Sequence, residues 1–64
     1  MKSVKLTSVK ILESLYRNFK TVIVNSSMSL QKLTNRSIFL YLNDEDFKEH
    51  IEKADQLIVS GSNF

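Results

Sequence analysis

The sequence predicts a small α+β domain of order β-α-β-β-β-α, with its two helices packed on one face of a mostly antiparallel sheet. Three observations predict it. Ile38, Phe39, Leu40, Tyr41 and Leu42 form an unbroken apolar run of the length of a buried strand. Phe47, Ile51, Ala54 and Ile58 then recur at steps of four, three and four, the period of a helix face. Thr21-Val22-Ile23-Val24 is a second run, β-branched at every position, and such side chains fit a pleated surface.

Taken in order, Ser3-Val4-Lys5-Leu6-Thr7 alternates polar and apolar, as a half-buried strand does. Thr7 or Ser8 can cap a helix running to about Asn18, whose inner face is Ile11, Leu12, Leu15, Tyr16 and Phe19. After the strand at Thr21–Val24, Asn25-Ser26-Ser27 is a turn signal. Residues 28–36 carry two readings. Alternation of Met28, Leu30 and Lys32 with Ser27, Ser29 and Gln31 suits a strand, which is the favoured reading. Ser29 ahead of Leu30 and Leu33 also suits a short helix, giving the order β-α-β-α-β-α. Asn43 caps the last helix, and Asp44, Glu45 and Asp46 suit the positive end of its dipole. Gly61, the single glycine, stands where a helix stop belongs. Phe39, Leu40, Phe47 and Ile51 are the expected core.

Sixty-four residues make one domain, 1–64, with a flexible tail over 60–64. A chain this short buries only roughly 60% of its unfolded surface, so reinforcement is expected. Absence of cysteine removes disulfides, thiolate metal sites and cysteine nucleophiles. Association, with another protein or as a homodimer, is what remains. Met1-Lys2-Ser3-Val4-Lys5 leads into no long apolar run, and no stretch approaches the roughly 20 apolar residues that cross a bilayer. A soluble cytoplasmic protein without a membrane partner is the expectation.

The net charge of +2 hides a division. Residues 1–36 hold seven cations against Glu13 alone, a balance of +6, whereas residues 37–64 hold Lys48 and Lys53 against six acids, a balance of −4. An acidic helix on a basic sheet produces such a split, and so does a surface for an anionic partner.

Catalytic chemistry is not legible. Of the five acids between Asp44 and Glu52, Glu45, Glu49 and Glu52 lie along a helix face away from Phe47, Ile51 and Ala54, and Glu49 is spaced to pair with Lys53 at i+4, which reads as a solvated helix face. His50 has neither a marked nucleophile nor further ligands, and no glycine-rich phosphate loop exists. No enzyme, cofactor, metal or small-molecule substrate is expected.

Nucleic acid is the other class. Ser3-Val4-Lys5-Leu6-Thr7, followed by a helix with Leu12 and Leu15, resembles the opening of a ribbon-helix-helix repressor. That resemblance implies a dimer whose paired strands read the major groove through Ser3, Lys5 and Thr7. The family then needs a second helix soon after the first, where this chain offers Thr21–Val24. Arg36 to Ala54 resembles the strand and first helix of the same family in plasmid relaxosome accessory proteins, but without basic strand residues. The helix-three strands-helix order is similar to a double-stranded-RNA-binding domain, whose second helix is basic where this one opens Asp44-Glu45-Asp46.

The sequence therefore favours a non-catalytic protein-binding module, an accessory or inhibitory protein of the kind phages and plasmids encode. Its candidate interface is Tyr41, Glu45, Glu49 and Phe64. The alternative is a dimeric DNA-binding regulator using Ser3, Lys5, Thr7, Lys10, Arg17 and Lys20.

Overall fold

The computed structural model describes residues 3–59 and 62–63 and is built from three helices. They are α1, Glu13–Val22, α2, Leu30–Asn43, and α3, Glu45–Lys53. The only extended pairing among the described residues is an antiparallel bridge, Ile58 opposite Asn63 and Val59 opposite Ser62. Two residues a side cannot cover a helix. The expected α+β domain is therefore corrected: the fold is helical, and among the described residues no sheet underlies the helices.

The largest departure lies in α2, where residues expected as two strands form one continuous helix. Its start is the one that the Ser29 reading anticipated. The Ser29 hydroxyl accepts from the Lys32 amide at 3.1 Å, and the Leu33 amide donates to the Ser29 carbonyl. From a capped first turn, propagation adds one hydrogen bond per residue fixed, and no glycine or proline interrupts before Asn43. Asn35 and Asn43 turn their amides back onto the carbonyls of Gln31 and Phe39, both at 2.8 Å, so neither breaks the ladder.

Asn43 is consequently the last residue of α2 and not the cap of α3. Asp44 takes that role, in extended backbone, with its carboxylate accepting from the Asp46 and Phe47 amides at 3.0 and 3.2 Å. Glu45 and Asp46 fill the first turn, as the dipole favours. The helix ends at Lys53 and does not run on to Ile58. Asp55 would place a negative charge at the negative end of the dipole, and the β-branched pair Ile58-Val59 favours extended backbone.

Near the N-terminus, Ser3–Thr7 is irregular rather than a strand, and neither Thr7 nor Ser8 caps a helix. Helix α1 begins at Glu13 behind Leu12, without a side-chain cap. It absorbs Thr21 and Val22 of the expected strand, with the Thr21 hydroxyl donating to the Arg17 carbonyl at 3.1 Å. Gly61 and Phe64 lie outside the described residues. Of the tail expected over 60–64, only Ser62–Asn63 lies within them, paired as described.

Packing is confined to one hairpin: α2 packs against α3, and α1 packs on neither. No described residue is buried. The expected core is corrected accordingly: Phe39 is 63% exposed, Leu40 36% and Ile51 48%, and Phe47 is half-buried. The radius of gyration is 13.6 Å, against about 11 Å for a compact chain of this length.

The change of cap gives a direct test. Asp44→Ala should destabilise α3 by about 1 kcal/mol, whereas Asn43→Ala should stay within about 0.5 kcal/mol. Thermal melts followed by circular dichroism should show that ranking, and the reverse ranking would return the cap to Asn43.

Candidate functional site

The α2–α3 hairpin supplies the best-defined surface. Asp44 turns the chain in one residue, so the C-terminal half of α2 lies beside α3. Ser37, Ile38 and Tyr41, at i, i+1 and i+4 of α2, meet Phe47 and Ile51, at i and i+4 of α3. Together they line an open apolar groove of about 200 Å³. That is smaller than the roughly 300–1,000 Å³ of small-molecule sites, and suits a single inserted side chain better than a cofactor.

One polar contact ties the two helices at the edge of the groove. The Tyr41 hydroxyl donates to the Glu52 carboxylate at 2.7 Å. The Lys48 ammonium stands 5.8 Å from the Tyr41 ring centroid, within cation–π range. The hydrogen bond to Glu52 is the main reason that the Tyr41 phenol is held above its usual value of 10.0, followed by partial desolvation and the carboxylate's charge.

The anticipated interface residues separate. Tyr41 is central to the groove. Glu45 and Glu49 stand exposed on α3, where Glu49 makes the anticipated i,i+4 pair with Lys53 at 3.4 Å. Both partners are solvated, so the pair contributes little. Ser37 and Ile38, with Lys48 and Glu52 at the edge, were not anticipated, and Phe47 and Ile51 were expected as core rather than interface; these residues become adjacent only when 37–42 is helical. His50 is exposed, its Nδ1 2.9 Å from the Asp46 carbonyl oxygen.

Of the nucleic-acid candidates, Ser3, Lys5 and Thr7 line a second, more polar cleft of about 450 Å³ against Gln31, Thr34, Asn35 and Ile38 of α2. Val4 and Leu6 in the same segment are 95% and 98% exposed, so the segment lies near α2 without packing on it. Lys10, Arg17 and Lys20 do not line that cleft. Lys10 precedes α1, Arg17 pairs with Glu13 at 3.5 Å, and the Lys20 ammonium is 5.9 Å from the Tyr16 ring centroid. Among the described residues, no three metal-ligating side chains converge and no helix is long and apolar enough to cross a membrane.

The Tyr41–Glu52 contact makes a pH prediction. A phenol raised in the folded hairpin contributes stability fully below its unfolded value near 10.0 and loses it as pH rises through the higher folded value. With Tyr16→Phe removing the other tyrosine, phenolate absorbance of Tyr41 should rise with a midpoint above 10.0. Glu52→Gln should move that midpoint back toward the ordinary value, and an unchanged midpoint would show that the two helices are not tied there.

Set beside known protein families, curated proteins and solved structures, the chain matches none of them.

Proposed function

We propose that the chain is a non-catalytic protein-binding module of the cytoplasm, engaging another polypeptide through the apolar faces of its helices. One observation carries the reading. Fifteen large apolar side chains are exposed and none of the described residues is buried, in a chain with the composition of a folded domain. Monomeric soluble proteins seldom leave large contiguous apolar surface in water, and such surface is usually covered by a partner. That surface includes the groove at Tyr41 and, on the same helix, Phe39 and Leu42, 63% and 73% exposed. Aromatic anchors set in an apolar patch, with charges confined to the edge, are the composition of an interface centre.

A DNA-binding regulator is supported less well. The cations Lys5, Lys10, Arg17 and Lys20 are spread over an irregular segment and a separate helix, and Arg17 is already engaged by Glu13.

Two measurements test the reading. A dye that fluoresces on apolar surface should bind the dilute chain, and Phe39→Ser with Leu42→Ser should lower that signal measurably. Selection from random duplexes at about physiological salt should enrich no sequence, because charge-driven binding fades as counterions compete. An enriched duplex whose binding depends on Lys5 would overturn the proposal in favour of the DNA regulator.

A further inference from the structure

We infer that the partner is a second copy of this chain, with α1 of each copy seated on the α2–α3 hairpin of the other. The inference rests on the protein-binding reading above and names the occupant of that surface.

The first ground is α1 itself. Leu12, Leu15, Tyr16, Phe19, Val22 and Ile23 recur at helical spacing on one side of it, and an amphipathic helix is expected to bury that stripe. Within its own chain α1 packs on neither α2 nor α3, so Leu12, Phe19 and Ile23 are only half-buried and Leu15, Tyr16 and Val22 stay exposed.

In the connector, the Ile23 amide donates to the Phe19 carbonyl, the Ser26 amide to the Ile23 carbonyl, and the Met28 amide to the Ser26 hydroxyl. The Lys32 ammonium closes the set on the Ser27 carbonyl at 2.8 Å. These bonds define the turn from Ile23 to Lys32, beyond which α1 does not pack on its own hairpin. An unpacked amphipathic helix on a chain that also carries an open apolar groove is the arrangement exchanged in a swapped dimer.

Area gives a second, independent ground. A folded monomer of 7.4 kDa exposes about 4,200 Å², whereas this chain exposes 6271 Å². The excess of about 2,000 Å² per chain is the scale that an obligate homodimer buries on each subunit. A twofold arrangement makes the same helix-on-hairpin contact twice, so one pair of complementary surfaces covers both copies.

Charge gives the third. Residues 3–28 carry Lys5, Lys10, Arg17 and Lys20 against Glu13, a balance of +3, and the hairpin, residues 29–55, carries six acids against Lys32, Arg36, Lys48 and Lys53, a balance of −2 with every acid on the α3 side. Exchange of α1 sets the basic part of one copy against the acidic helix of the other, in both directions at once. Two parallel copies would instead oppose like charges. The groove of about 200 Å³ takes one aromatic side chain, and α1 offers Tyr16 and Phe19 at its centre.

The chain has no cysteine, so engineered pairs report cleanly. The experiment joins sedimentation of the unaltered chain over a concentration series with mild oxidation of the double variant Phe19→Cys/Ser37→Cys. Sedimentation should show a monomer–dimer equilibrium that weakens several-fold on Lys20→Glu or on raising salt. Oxidation should yield covalent dimers that reductant reverses. A chain monomeric at every concentration would overturn the inference, and so would cross-linking that closes only within one chain, which would place α1 on its own hairpin. Either result leaves the protein-binding reading to be judged by the dye and duplex measurements, which involve no second copy.

Discussion

The structure depends on how the run Ile38-Phe39-Leu40-Tyr41-Leu42 is covered. On a helix, five successive positions at about 100° each pass around the whole circumference. A helix apolar on every side must be surrounded. Helix α3 half-covers Ser37 and Tyr41, and leaves Ile38, Phe39 and Leu42 largely to solvent. What the short hairpin cannot enclose becomes the surface by which the chain is proposed to act.

That constraint orders the remaining features. The one-residue turn at Asp44 brings α3 back along α2, and the Tyr41–Glu52 hydrogen bond fixes the two helices at one point. About one turn of α2, Ser37 to Tyr41, and one of α3, Phe47 to Ile51, line the apolar groove between them. Helices this short are marginal in isolation and take their stability from packing. The hairpin offers little packing, and α1 adds none. Local devices therefore carry unusual weight here: the caps at Ser29 and Asp44 and the side-chain amides folded back onto α2.

Part of this was legible in the sequence. The last helix, its face of Phe47 and Ile51 and its Glu49–Lys53 pair were visible because polar and apolar positions separate cleanly there. Ser29 as a cap was visible as the second reading of 28–36. What could not be read was the state of 37–42. A short apolar run without polar interruptions carries no periodicity, so strand and buried helix look alike. Reading it as a strand displaced the cap by one residue, from Asp44 to Asn43, and separated Tyr41 from Ile38, Phe47 and Ile51. Thr21–Val24 misled for a related reason: β-branched side chains favour strands only where a sheet exists to receive them, and at Thr21 a hydroxyl bond to Arg17 holds the helix instead. For the proposed interface, Tyr41 was identified without its neighbours, and Phe64 lies outside the described residues.

The backbone state of Ile38–Leu42 tests this account most directly. Carbon-13 Cα and Cβ chemical shifts of these five residues, measured at low concentration, report helix or strand without reference to packing. The account predicts consecutive helical shifts from Leu30 through Asn43, with a single break at Asp44. Strand-like shifts from Ile38 to Leu42 would contradict it, because the groove, the uncovered circumference and the surface offered to α1 all follow from that one helix.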